Sequence, residues 1–222
     1  IIVVDSNGQN SIVLSAGANG NVSVRDINEL DIEAKVLLLQ LEIPLETVIH
    51  AAKWGKQKGM IVILNPAPAR ELSNELIANA DYIIPNETEL NLLTGVPVTD
   101  ISSAEQAAKV LLQRGAKNVI VTLGSKGALL VSGHQVKQVD AYKVNVVDTT
   151  AAGDAFIGGF ASYLTLESDS ELSDAQEQAP ALQINAVKYA NACGALAATK
   201  FGAQPSLPTK EEVEKFILQG AR

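Results

Sequence analysis

Short apolar runs alternate with amphipathic ones along most of this chain, and that alternation restricts it to a sheet interleaved with helices. Residues 36–41 form an apolar run, residues 45–58 follow with helical periodicity, and residues 60–64 are apolar again. Pro44 suits the first turn of that helix and Gly59 its end. The pattern repeats, with strands expected at 82–84 and 118–122 and helices at 87–93 and 103–114, the second closed by Gly115. Asn86 and Glu89 stand at the spacing of an N-cap and its N3 partner. Residues 128–131 and 135–139 read as a hairpin around Ser132-Gly133-His134, after which the run 142–147 leads to Asp148. Further helices are expected at 154–164, at about 181–198 and at 209–218, the last opening with Thr209 and Glu212 at capping-box spacing. Between the first two of these, the polar and acidic residues 167–178 read as a surface loop.

Such alternation implies an α/β fold of Rossmann-like type, a mostly parallel central sheet flanked by helices on both faces. At the start, residues 1–4 and 11–15 read as a strand pair joined across Asn7-Gly8. The first of these strands is already in progress at Ile1, with no basic leader before it, so a signal peptide is not expected. With 222 residues, 47% of them hydrophobic and 19% charged, the chain can fill a core. Lys and Arg number 17 against 25 Asp and Glu, a net charge of −8, which argues against nucleic acid as a partner. Any phosphate ligand must be held locally. No apolar run reaches the roughly 18 residues of a membrane helix, so no membrane partner is expected. One cysteine, Cys193, and two histidines, His50 and His134, are a poor supply for a disulfide or a zinc site, and a reducing, cytoplasmic setting is expected.

Ligands of parallel sheets sit beyond the carboxyl ends of the strands, and polar residues gather there. They are Gln40 and Glu42, Asn65, Asn86 and Glu89, residues 122–125, and Asp148 with Thr149. Ala151, Ala152 and Gly153 precede a helix, where small residues let backbone N–H groups approach an anion. The helix terminus adds about half a positive charge, so phosphate can be held without a lysine. Asp154 is either a simple N-cap or a general base that takes a proton from a hydroxyl beside it. Neither a Walker A run nor a Gly-x-Gly-x-x-Gly run occurs. Cys193, within Ala192-Cys193-Gly194-Ala195, reads as packing rather than as a nucleophile, Trp54 as a packed helix face, and neither histidine accompanies a nucleophile motif.

The segment Asp148-Thr149-Thr150-Ala151-Ala152-Gly153-Asp154 resembles the Asp-Thr-x-Ala/Gly-Ala-Gly-Asp signature of the ribokinase family of carbohydrate kinases, the phosphofructokinase-B group. Supporting blocks stand in the family's order: Ala16-Gly17-Ala18-Asn19, Gln40-Leu41-Glu42-Ile43-Pro44, Asn65-Pro66-Ala67-Pro68-Ala69-Arg70, Pro85-Asn86-Glu87-Thr88-Glu89, Thr122-Leu123-Gly124-Ser125-Lys126-Gly127 and Gly202-Ala203-Gln204-Pro205-Ser206-Leu207-Pro208. The resemblance implies a ribokinase-like fold over residues 1–222, with residues 1–15 as the remnant of a small β lid. It also implies ATP-dependent phosphorylation of ribose at its 5-hydroxyl.

By resemblance, Asp154 is the base that activates the sugar hydroxyl, and Ala151, Ala152 and Gly153 form the anion hole. Glu42 is implied as a sugar ligand, with a solvated loop charge as the alternative. Asn86, Thr122, Leu123, Gly124, Ser125, Lys126, Gly127 and Gly153 are implied along the nucleotide, Gly124 and Gly127 permitting close backbone approach. Asn191 matches the position that contacts adenine, the alternative being an exposed helical Asn. Glu89 is implied to act on Mg²⁺ through water. A monovalent cation, usually K⁺, is implied at Asp148, Thr150, Ala197, Lys200, Gly202 and Ser206. The family's first strand, its Gly-Gly motif and most of its lid have no counterpart here, which leaves a sheet edge exposed. Lid sheets of the family often pair, so a homodimer is expected. Competing readings are another sugar or nucleoside kinase, a non-catalytic nucleotide-binding module and a sugar-binding regulator.

Overall fold

The structure, a computed structural model, describes residues 2–4, 10–12, 16–167 and 175–220. Strands β1 (Ile2–Val4) and β2 (Asn10–Ile12) pair antiparallel with Ile2 opposite Ile12, and the Asn7-Gly8 turn lies outside the described residues. A 3-10 turn, Gly17–Asn21, and a short helix α1 (Val24–Asn28) follow, the helix held by a reciprocal Ser23/Asp26 capping box. Both lie against helix α2 (Leu45–Gln57): Thr47 donates its hydroxyl to Val22 O at 2.9 Å, and His50 Nε2 meets Asn28 Oδ1 at 2.8 Å.

The main sheet has six strands in the order β3 (Val36–Leu39), β4 (Ile61–Leu64), β5 (Tyr82–Ile83), β6 (Asn118–Thr122), β7 (Ala128–Ser132) and β8 (Val136–Val139). The first four are parallel, and β7 and β8 extend the sheet as antiparallel neighbours. Helix α2 connects β3 to β4, α3 (Asn74–Asn79) connects β4 to β5, and α4 (Glu87–Thr94) with α5 (Ile101–Gln113) connects β5 to β6. Parallel crossovers are right-handed, and this strand order advances in one direction only. All four helices therefore lie on one face.

Side chains of period 2 divide the core accordingly. Val62, Leu64, Val119 and Val121 point to the face of α2 to α5, whereas Ile63, Tyr82, Ile120 and Leu130 point to the other. That second face is covered by α6 (Ala152–Glu167) and α7 (Ala175–Ala197), with Phe156, Ile157, Phe160 and Leu164 of α6 in its core. Phe160 is fully buried and stands edge-on to Tyr82 with ring centroids 4.9 Å apart. A final helix, α8 (Lys210–Gly220), packs Val213 against Tyr189 and Cys193 of α7.

The structure differs from the expected pattern of elements or adds to it in three places. Helix α7 begins at Ala175, so the last residues of the expected loop 167–178 are helical and Pro180 sits inside the helix. Residues 168–174 of that loop lie outside the described residues. The run 142–147 forms no strand, because β8 already ends the sheet and Val147 N–H turns instead to Ala198 O at 2.8 Å. Helices α1 and α3, each begun by a serine N-cap, were not expected from periodicity, being too short to show it. At the other end of the sheet β3 is the edge strand, and its Leu38 is 46% exposed.

Candidate active site

Hydrogen bonds fasten the carboxyl ends of the parallel strands into one rim. Asn65 N–H donates to Leu39 O at 2.8 Å, and Asn65 Nδ2 donates to Ile84 O at 3.1 Å. Leu41 N–H reaches Ala67 O at 2.9 Å, next to a cis Ala67-Pro68 bond. Glu42 is exposed just beyond. Asn86 and Thr122 form an isolated parallel bridge, so the ends of β5 and β6 stay joined after the strands finish.

Asn86 opens α4 through the expected capping box: its Oδ1 accepts from Glu89 N–H at 2.8 Å, and Glu89 Oε2 accepts from Asn86 N–H at 2.8 Å. Burial pushes the Glu89 carboxyl above its ordinary value, against the opposing pull of the Asn86 N–H. The turn after β6 carries Gly124 at φ +55° and Gly127 at φ +89°. Their roles differ. Gly124 has open space where a side chain would stand, while a Cβ on Gly127 would lie 2.1 Å from Val139 O and 2.6 Å from Ala141 N. The close approach at Gly127 is thus to this chain's own backbone. Lys126 Nζ lies 3.9 Å from Glu87 Oε1 of α4.

Asn191 is buried, so the alternative of an exposed helical residue is overturned. Its Nδ2 donates to Val139 O and Asp140 O, both at 3.1 Å, which ties α7 to the end of β8 beside Gly127. Cys193 is also buried in the α6/α7 contact, and burial pushes its thiol up to about 11, as packing requires of an inert cysteine. Trp54 is buried on α2 as expected.

The loop before α6 is built by Asp148. One carboxylate oxygen accepts Thr150 N–H at 2.9 Å and Thr150 Oγ1–H at 2.7 Å, and the other accepts Gly202 N–H at 2.9 Å. These bonds, led by the Thr150 hydroxyl, hold the carboxyl below the usual range. Ala151 takes a left-handed φ of 59°, which turns the chain into α6. Ala152 N–H is directed back to Thr149 O at 3.1 Å, and Ala155 N–H closes on Ala151 O at 2.8 Å. Gly153 and Asp154 are exposed at the helix start, and their N–H groups are the donors the loop offers an anion. Gly194 of α7 allows this approach, since a Cβ there would stand 3.1 Å from Ala152 O. Asp154 lines a cleft of about 230 Å³ between α6, α7 and α8, with Gly158, Ser162, Tyr189 and Lys210.

Several predicted residues are therefore joined: Asn86 with Thr122, Gly127 with the end of β8 and Asn191, and Asp148 with Thr150 and Gly202. Among the described residues, no hydrogen bond or ion pair joins Asp154 to Glu42 or Asn86. Ser206 is fully buried and donates to Ala203 O at 2.7 Å, and Ala197 O accepts from Lys200 N–H at 3.1 Å. Periodicity could not single out Gly194. Its signal was the small-residue stretch around Cys193.

The chain matches the pfkB family carbohydrate kinase profile over residues 1–210. It belongs to the pfkB family of carbohydrate kinases. Ribokinase of Staphylococcus aureus is 41% identical over 217 residues, 96% of this chain and 67% of that protein. Deoxyribokinase of Salmonella typhimurium is 41% identical over 220 residues, 97% of this chain and 68% of that protein. Among solved structures, ribokinase of Arabidopsis thaliana complexed with ribose and ATP is similar with a TM-score of 0.81 and 33% identity, over 97% of this chain and 67% of that one. This pfkB chain spans about two thirds of the length of these relatives. The ribokinase-like α/β fold and the kinase class expected from the motifs are both borne out. No described helix is long and apolar enough to cross a membrane.

Proposed function

We propose that this pfkB kinase transfers the γ-phosphate of ATP to the 5-hydroxyl of ribose. The observation that carries the reading is the Asp148-built loop, which sets backbone N–H donors at the start of α6 beside the exposed Asp154 carboxylate. In this reading Asp154 accepts the proton of the attacking hydroxyl, work worth roughly 10²–10⁴-fold in rate. The N–H groups of Gly153 and Asp154, with the helix terminus, hold the charge that develops on the transferring phosphoryl group. Ala151 and Ala152 shape that hole. Glu42, beyond the end of β3, accepts hydrogen bonds from the sugar. Asn86, Glu89 and the turn Thr122, Leu123, Gly124, Ser125, Lys126 and Gly127 lie along the nucleotide, and Asn191 keeps Oδ1 for the base once its amide hydrogens are spent on Val139 and Asp140.

Mg²⁺ suits Glu89 through water, since the cap takes Glu89 Oε2 and no described hydrogen bond takes Oε1. A weakly hydrated cation such as K⁺ suits Asp148, Ser206 and the carbonyl oxygens of Thr150, Ala197, Lys200 and Gly202, an all-oxygen set. When bound it would offset the Asp148 charge and order the loop. A homodimer in the cytoplasm completes this reading.

A deoxyribose substrate is the second reading, favoured by the 41% identity to deoxyribokinase. Phosphate transfer from ATP to ribose, deoxyribose, fructose and adenosine separates the two. Asp154→Asn is expected to lower transfer at least about 100-fold and leave ATP affinity nearly unchanged. Undiminished turnover would refute the role of Asp154. ATP binding without transfer to any of these acceptors would instead favour a nucleotide-binding module.

A further inference from the structure

The backbone ladder between β4 and β5 loses a donor where the rim begins, and one side chain replaces it. Ile84 N–H donates to Leu64 O at 2.9 Å, so the next bond of this parallel ladder would run from the N–H of residue 66 to Ile84 O. Residue 66 is a proline and has no N–H to give. Asn65 fills the gap: its Nδ2 donates to Ile84 O at 3.1 Å, while its own N–H stays on Leu39 O at 2.8 Å. Ile84 is buried, so without Asn65 its carbonyl would lack the partner that a buried backbone group requires. One residue thus fastens the ends of β3 and β5 to β4. Two limbs leave from this point. Beyond Pro66, Ala67 O accepts Leu41 N–H at 2.9 Å, one residue before Glu42. Beyond Ile84, Pro85 O accepts Thr122 N–H at 2.9 Å, and Asn86 opens α4 with Glu89.

We propose that Asn65 is a positioning residue for phosphoryl transfer: its amide stands in for the N–H that Pro66 lacks and fixes the limb carrying Glu42 against the limb carrying Asn86 and Glu89. The proposal rests on the kinase reading above, in which Glu42 holds the sugar while Asn86 and Glu89 lie along the nucleotide. In this role Asn65 touches neither substrate. Each limb keeps its own hydrogen bonds without the Asn65 amide, Leu41 to Ala67 on one side and Thr122 to Pro85 on the other. Each substrate should therefore still bind, and what is lost is the registration of one against the other. A misplacement of about 1 Å between reacting groups can cost about 100-fold in rate. Pro66 turns the chain out of the sheet, and Asn65 keeps the strand end from drifting as it does so.

Steady-state transfer from MgATP to ribose by the 222-residue chain tests this, with thermal unfolding measured alongside. Asn65→Leu, which removes the donor at similar volume, is expected to lower kcat about 100-fold while KM for each substrate moves only a few-fold. Asn118→Leu is the control, because Asn118 Nδ2 makes the same kind of bond, to Asp81 O at 2.9 Å, at the opposite end of the sheet. It should lower the thermal midpoint as Asn65→Leu does and leave kcat unchanged. Adding Pro66→Ala to Asn65→Leu returns a backbone N–H opposite Ile84 O and should restore part of the lost kcat. Undiminished kcat in Asn65→Leu overturns the proposal, as does an equal fall in Asn118→Leu, which would make the loss one of stability alone. Failure of Pro66→Ala to restore any of the rate overturns it too, since Asn65 would not then be replacing that N–H. If Asn65→Leu does not fold, Asn65→Ala carries the same comparison. Wild-type protein that transfers no phosphate to ribose or deoxyribose overturns the kinase reading and the positioning role with it, whereas the other adverse outcomes leave that reading standing.

Discussion

The carboxylate of Asp148 accepts the backbone N–H of Gly202 at 2.9 Å and so joins two loops 54 residues apart in the chain. With Thr150 on the other oxygen, one side chain fixes both the entrance to α6 and the turn carrying Phe201. Replacing it by alanine should loosen the second loop without unfolding the core, which the bonds do not touch. Trypsin cleavage after Lys200, followed by mass spectrometry, is expected to accelerate several-fold in Asp148→Ala while the thermal midpoint hardly moves. Unaltered cleavage would show that the Lys200–Glu212 pair alone holds the loop.

Gly127 and Gly124 share a positive φ but not an environment. At Gly127 a Cβ would collide with Val139 O and Ala141 N, and backbone atoms cannot swing aside. Gly127→Ala should cost about 3 kcal/mol or more, against about 1–2 kcal/mol of left-handed strain for Gly124→Ala. Urea denaturation of the two variants measures the difference. Equal losses would contradict the close approach of β8.

Helices α6 and α7 touch where Gly159 faces Cys193, a Cβ on Gly159 falling 2.5 Å from Cys193 Sγ. Gly159→Ala should destabilise the protein, and adding Cys193→Ala should recover part of the loss, a coupling of about 1–3 kcal/mol. The thiol, raised to about 11 and buried, should react with a disulfide reagent at pH 8 only after urea unfolding. Rapid labelling of the native protein would contradict this packing.

Asp81, at the start of β5, takes Lys56 at 2.7 Å, Lys117 at 2.9 Å and Val62 N–H at 2.9 Å, and so ties α2, β4 and β6 together. Burial raises its carboxyl, but the two ammonium groups and the N–H outweigh that and hold it below 3.8. A carboxyl depressed in the folded state adds stability that is complete above its ordinary value and fades as pH falls through the folded one. Asp81→Asn should therefore cost about 1–2 kcal/mol at neutral pH and progressively less in acid below pH 4. Parallel stability curves of the two proteins over pH 2–7 would rule out this role.

Much of the architecture was legible because period and punctuation act locally. The strand at Asn118–Thr122, the helix from Leu45 to Gln57 and the capping boxes of Asn86 with Glu89 and of Thr209 with Glu212 each follow from residues within a few positions of one another. Residues 175–178 were misplaced for the same reason. Their polar composition favours a loop, whereas packing of the following turns against α6 extends the helix through them. Asn191 and Gly127 show the limit within the site, since burial of the one and crowding of the other come from the end of β8, some 50 and 12 residues away.

By itself the sequence determined the alternation of strand and helix, the rim on which the polar residues gather and, through the Asp148 to Asp154 signature, the kinase family. Those properties depend on neighbours along the chain. Only the tertiary structure decided that Gly202 N–H closes on Asp148, that Asn191 spends its amide on β8 and that Phe201 stands exposed on a braced loop. Each of these depends on atoms brought together across the fold, where hydrogen-bond satisfaction and exclusion of overlap, rather than local preference, fix what a side chain can still do.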